Sequence, residues 1–196
     1  MSTALVIKLA ENRGEGKEDA PPPSHSSVLH PIPNISLSTW NVNSLSLYGT
    51  TASSLARRDN ITDNLRRLKR ISQIVCLQEP HLRSKDNQAL ASTFAGWTRK
   101  YNNADGRQGT MTLISPCISK LYHIEDLDVG NVPKGRIQAF RFVPKDQDAQ
   151  LQAFLVFNGY FPTGGTRLNE RRIALFNALE RLPNGEHTFL VGDFNF

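Results

Sequence analysis

At 196 residues, with 39% hydrophobic and 21% charged side chains, the chain has the size and make-up of one globular domain with a sizeable core. Its formal charge of +5, from 23 Lys and Arg against 18 Asp and Glu, permits a nucleic-acid partner without requiring one. No apolar run approaches the ~18 residues of a membrane span, and Cys76 and Cys117 are too few for a disulfide framework or a zinc site, which favours a reducing intracellular compartment.

Residues 1–34 carry Gly14, Gly16, Pro21, Pro22, Pro23, Pro31 and Pro33 among charged side chains, with no hydrophobic periodicity after Leu9. Such a segment buries too little surface to offset its ordering entropy, so it reads as a disordered leader, and the folded domain covers 35–196. The apolar opening, 4–10, is short, follows no basic residue and runs into Glu11, which argues against a signal peptide. From 35 onward, short apolar runs alternate with polar and Gly/Pro punctuation. Residues 35–42 predict a strand, and 60–71 a helix with Leu65, Leu68 and Ile71 at helical spacing. A buried strand is expected at 74–77, with Cys76 as a small hydrophobe, and a short helix at 87–94. Further strands follow at 97–101, 109–115, 120–124, 136–142 and 151–160. Leu168, Leu175, Phe176, Leu179 and Leu182 trace one face of a helix, Pro183-Asn184-Gly185 stops it, and 188–191 begin a last strand. Strands dominate and helices are available to cover them, which suits an α+β sandwich.

Four of the apolar runs lead into polar side chains. The first delivers Asn41 and Asn43, the second Glu79, the run ending at Gly159 delivers Tyr160, and the last delivers Asp193 and Asn195. Converging on one rim, these side chains make a cluster of carboxylates, amides and a hydroxyl. Oxygen donors without His or Cys suit Mg²⁺ or Mn²⁺ rather than zinc, and phosphodiester hydrolysis is the reaction such a site serves best. Taken singly, each residue has an ordinary explanation. Glu79 suits a loop or cap, the Asn and Asp residues suit turns, Tyr160 suits a packed aromatic, and His81 suits an exposed loop. Order and strand context weigh against accepting all the ordinary explanations at once.

Trp40-Asn41-Val42-Asn43-Ser44-Leu45, Leu77-Gln78-Glu79-Pro80-His81-Leu82, Gly159-Tyr160-Phe161-Pro162 and Gly192-Asp193-Phe194-Asn195 stand in the order of the motifs of the endonuclease/exonuclease/phosphatase superfamily. Over 36–196 the chain resembles that superfamily, and it looks most like the apurinic-type endonuclease domains of LINE-type (non-LTR) retrotransposons. The resemblance implies a four-layer α/β/β/α sandwich of the deoxyribonuclease I-like type. It also implies an Mg²⁺- or Mn²⁺-dependent endonuclease that nicks DNA, fused to a reverse transcriptase in its parent protein, without a membrane partner, and nuclear as a retroelement product.

Residue by residue, the resemblance makes Glu79 the principal metal ligand, helped by Asn41, with Asn43 where many relatives carry an Asp. Tyr160 touches the scissile phosphate, and Asp193 orients and deprotonates the attacking water, with Asn195 fixing its geometry. Arg167 is expected at the substrate, whereas Arg171 and Arg172 suit a solvated helix face. Thr163 replaces an Asn that contacts DNA in many relatives. Family members continue past Gly-Asp-X-Asn to a further Asp and a Ser-Asp-His-like motif. The resemblance therefore implies a domain incomplete at its C-terminus, and a fragment impaired or inactive on its own. Two other functions stay open: a phosphatase or phosphodiesterase of the same fold, and an inactive remnant that serves as a binding module.

Overall fold

The computed structural model describes residues 7–9, 34–45, 47, 51–104, 108–130, 132, 134–146, 151–161, 168–183 and 186–194. Its elements are β1 (Ile7–Leu9), β2 (Leu37–Asn41), α1 (Ala52–Ile71), β3 (Ile74–Gln78), α2 (Ser84–Thr93), β4 (Thr98–Ala104), β5 (Gln108–Ile114), α3 (Pro116–Leu121), β6 (Tyr122–Asp126), β7 (Ile137–Pro144), β8 (Phe154–Tyr160), α4 (Leu168–Glu180) and β9 (His187–Asp193). One sheet has the order β2-β3-β5-β4 and the other β1-β9-β8-β7-β6. Each sheet contains one parallel pair, β2 with β3 and β8 with β9. Parallel neighbours need a long crossover, and α1 and α4 supply it.

The alternation of side chains along β3 shows how the layers form. Val75 and Leu77 join Ile61 and Leu65 of α1 and Leu90 of α2 in one apolar cluster. Ile74 and Cys76 point the other way, into a cluster with Phe140, Phe142, Phe154 and Val191 of the second sheet. A third cluster joins Phe157 and Leu190 to Leu175 and Ala178 of α4. Three cores between successive layers give helix, sheet, sheet, helix, the α/β/β/α sandwich expected from the resemblance. Strands β3 and β8 are covered on both faces, so every residue in them is buried and they read as unbroken apolar runs. Burial pushes the Cys76 thiol up to about 12, which leaves it an inert hydrophobe.

The inter-sheet layer changes character along the strands. At one end Phe142 stacks on Phe154 with ring centroids 4.5 Å apart, and Tyr122 meets Phe154 edge-on. Toward the other end it holds buried amides and hydroxyls. Gln78 Nε2 donates to Asn158 Oδ1 at 2.7 Å, and Asn158 Nδ2 donates to the Met111 carbonyl at 3.1 Å and to Thr112 Oγ1 at 3.2 Å. This polar seam is hydrogen-bonded across the two sheets, as buried amides must be.

Several elements differ from the sequence expectation. Helix α1 begins at Ala52 rather than 60, because Thr51 caps it by accepting from the Ser54 amide at 3.3 Å. The segment at 120–121, expected as strand, closes the short helix α3, which Pro116 starts from the first helical position. Within the leader, Ile7–Leu9 are not disordered but pair antiparallel with β9 as an edge strand. The open hydrogen-bonding edge of β9 supplies the partners that the leader's own sequence lacks. The rest of 1–33 lies outside the described residues. Among the described residues no helix is long and apolar enough to cross a membrane.

Candidate active site

Strands β2, β3, β8 and β9 end at one rim. Register sets Asn41 beside Gln78 in one sheet and Tyr160 beside Asp193 in the other. Because side chains alternate with a period of two, Asn41 shares the face of Leu37, Tyr160 that of Phe154 and Val156, and Asp193 that of Val191. Those apolar residues all belong to the inter-sheet cluster, so the three polar ones face one another across the layer.

Asn41 joins the two sheets. Its Nδ2 donates to Asp193 Oδ2 at 2.6 Å and lies 3.4 Å from Glu79 Oε1, while its Oδ1 accepts from the Asn43 amide at 3.0 Å. One amide thereby holds the two carboxylates that the sequence singled out. Asn43 itself is exposed and reaches the group through its backbone.

The turns that carry these residues are strained. Asn43, Ser44, Glu79 and His81 have φ of 47°, 80°, 51° and 42°, in the left-handed region that non-glycine residues avoid. Conformations of this kind cost roughly 1–3 kcal/mol each and persist where the surroundings dictate them, typically at functional sites. Here the Glu79 amide donates to the Gly109 carbonyl at 2.9 Å, and Ser44 and Leu45 donate to the carbonyls of Glu79 and Pro80, each at 2.8 Å. Arg57 completes the brace by donating from Nη2 to the Asn43 carbonyl at 2.5 Å.

Tyr160 is buried, and its hydroxyl is hydrogen-bonded to Glu79. Burial first, and the Glu79 carboxylate second, push its pKa well above the ordinary tyrosine value, with Arg136 opposing. The hydroxyl is therefore a standing hydrogen-bond donor. Arg136 lies with its guanidinium carbon 5.0 Å from the centre of the Tyr160 ring, and its carbonyl accepts from the Tyr160 amide at 2.7 Å. Sequence reasoning placed Arg136 at the start of a strand and gave it no role. Its only sequence signal is the Pro-Lys-Gly turn before it. His81, expected as an exposed loop residue, is half-buried, with Nε2 3.7 Å from Glu79 Oε2.

Asp193 owes its place to two facing glycines. Gly192 has φ of 143°, and a Cβ there would lie 1.9 Å from the Gly159 carbonyl oxygen. A Cβ on Gly159 would in turn meet the Phe194 ring at 2.7 Å. The bare backbones let β9 approach β8 closely where the Asp193 carboxylate emerges. Asn195, Arg167 and Thr163 lie outside the described residues, and of Arg171 and Arg172 only their place on α4 is described.

Among the described residues no three His, Cys, Asp or Glu cluster as a protein cage for a metal. The donors at the rim are the Glu79 and Asp193 carboxylates and the Asn41 amide, with Glu79 19% exposed to solvent. Few hard oxygen donors at a wet rim fit a dication that keeps waters and takes up phosphate oxygens, and they do not fit a closed zinc site.

The fold recurs in solved structures. A humanized D. rerio TDP2 bearing 14 mutations is 15% identical with a TM-score of 0.54, over 83% of this chain and 66% of that one. D. rerio TDP2 complexed with a single-strand DNA product is 16% identical (TM-score 0.56, 83% and 61% covered). The human Nocturnin catalytic domain with a bound sulfate anion is also 16% identical (TM-score 0.57, 83% and 64% covered). At such identities the likeness is one of fold, and this chain spans less than two thirds of most of those chains. No curated protein matches the sequence. Residues 38–196, however, match the Endonuclease/Exonuclease/phosphatase family, and the chain belongs to that family of hydrolytic, divalent-metal-using enzymes.

Proposed function

We propose that the chain is an Mg²⁺- or Mn²⁺-dependent phosphodiesterase that cuts a nucleic-acid strand internally, of the retroelement endonuclease type. The observation that carries this reading is the Asn41 amide bridging Glu79 and Asp193 across the two sheets. That arrangement separates two acidic tasks within a few ångströms. Glu79, with Asn41, would hold the ion, which when bound neutralises charge on a phosphate and polarises it. Asp193 keeps one carboxylate oxygen on Asn41 and has the other for a water, which it orients and from which it accepts a proton. The one hydroxyl proton of Tyr160, donated to Glu79 in this structure, would turn to a phosphoryl oxygen on which charge develops. That a TDP2 of the same fold holds a single-strand DNA product supports a nucleic-acid substrate. The Gln-Glu-X-His-Leu and Gly-Asp-Phe-Asn sequences support the retroelement type, and fusion to a reverse transcriptase and a nuclear location follow from it.

Plasmid nicking tests this directly, with Mg²⁺, Mn²⁺ or EDTA, beside Glu79→Gln and Asp193→Asn. In the parent protein, extended through the C-terminal motifs that the resemblance implies, we expect metal-dependent nicking that falls by at least about 10²-fold in either variant with the thermal melt unchanged. Wild-type rates from either variant sink the site. Phosphate release from inositol phosphates without any nicking would instead make the enzyme a phosphatase of the same fold.

A further inference from the structure

Helix α1 carries Arg57, Arg58, Arg66, Arg67, Lys69 and Arg70 against Asp59 and Asp63, a net +4, while the whole chain is only +5. Nearly all of the molecule's charge excess sits on one helix. Four of the cations fall within 66–70 with no acid among them, and Arg66 with Arg70, Arg66 with Lys69 and Arg67 with Arg70 stand at the helical spacings where like charges repel. Opposing the helix dipole does not explain so many. Lys69 already does that work for the neighbouring helix, donating to the Thr93 carbonyl at the end of α2 at 2.6 Å. Asp63 reaches Arg66 at 3.2 Å, but both side chains are well exposed, 65% and 76%, so the pair neutralises little.

These cations line a crevice between α1 and α2. Arg66, Lys69 and Arg70 form one wall and Ser92 and Thr93 the other, around about 620 Å³, and among the described residues no carboxylate lines it. Both hydroxyls turn back to their own helix, so the guanidinium groups remain as the recognition elements. Guanidinium forks match phosphate oxygens in pairs. At its other end α1 reaches the rim of the active site, where Arg57 braces the Asn43 carbonyl. From Arg57 to Arg70 the helix runs about 20 Å at ~1.5 Å per residue, roughly the length of six base pairs at 3.4 Å each.

We propose that the α1–α2 crevice is an exosite for the sugar–phosphate backbone of a nucleic acid whose scissile phosphate lies at the Glu79 site. This rests on the nucleic-acid reading of that site and extends it, since a chain substrate cut at the rim has further phosphates to place along α1.

The test compares the full chain with Arg66→Gln/Arg70→Gln, and with Arg99→Gln/Lys120→Gln, which removes the same charge from exposed positions elsewhere. Fluorescence anisotropy with a 20-nucleotide single strand gives Kd across a salt series. The crevice variant should bind roughly tenfold more weakly at low salt, with a log–log salt slope lower by about 1.4, as two lost phosphate contacts require. Its melt and its hydrolysis of bis(p-nitrophenyl) phosphate should stay as in the wild type, and the control pair should leave the slope alone. An unchanged slope in the crevice variant overturns the proposal, as does an equal effect in the control. Parallel loss of the small-ester reaction overturns it too, because the crevice would then act through the active site. Loss of binding to phosphatidylserine vesicles with oligonucleotide binding intact would replace the nucleic acid with a membrane surface. The binding arm does not depend on turnover. Wild-type hydrolysis by Glu79→Gln would therefore remove the active-site assignment and leave the exosite to its own result.

Discussion

Asn41 is small, uncharged and unable to titrate, yet both carboxylates of the site rest on it. Tyr160 is the complementary case, a titratable group held in one form. Its raised pKa means that the folded state keeps the proton beyond the pH, about 10, at which an unfolded chain loses it. The associated stability is fully present below about pH 10 and is lost as pH rises further. Between pH 6 and 9 the hydroxyl does not change charge. Tyr160→Phe should then lower kcat by about 10–100-fold, the scale of one lost donor to developing charge, and leave the shape of the pH–rate profile intact. A basic limb present in the wild type and absent from the variant would show that Tyr160 titrates during turnover. The residues that end apolar runs, Asn41, Glu79, Tyr160 and Asp193, were legible in the sequence because strand ends announce themselves. Arg136 and the approach of His81 to Glu79 were not. Both depend on contacts made by residues in left-handed or turn conformations, which leave no periodic mark.

At the scale of elements, β3 and β8 were visible as unbroken apolar runs, but the amides hidden within their ends were not visible as a pair. Gln78 and Asn158 are 80 residues apart in sequence and 2.7 Å apart in space. Removing either one strands the other in a buried layer. Gln78→Leu and Asn158→Leu should each cost about 1–3 kcal/mol in urea unfolding. The double variant should cost less than the sum by about 0.5–3 kcal/mol, since it removes both partners together. Strict additivity would mean that the two amides are satisfied independently. Helix boundaries were the weaker part of the sequence reading. The first two turns of α1 hold Leu55 but no repeating apolar stripe, and the cap at Thr51 sets their start. Helix α3 is six residues long, shorter than the window over which a helical period can be read.

For the whole molecule, the sandwich was legible as a count of strands and helices, and its four-layer order came through family resemblance rather than periodicity. What neither conveyed is that Ile7–Leu9 lie along β9, pairing with Thr188, Phe189 and Leu190. A chain lacking residues 1–10 should keep its melting temperature within a few degrees, because three pairs contribute little. It should self-associate where the full chain does not, because an uncovered strand edge templates pairing. Light scattering on the two proteins at matched concentration decides it, and a monodisperse shortened chain would show that β9 is protected by other means. The facing glycines bear on how such a molecule is inherited. Every missense change of a single base in a glycine codon introduces at least a Cβ, and at Gly192 that atom would fall on the Gly159 carbonyl. That codon tolerates synonymous changes alone: any missense change there removes in one step the strand contact on which Asp193 stands.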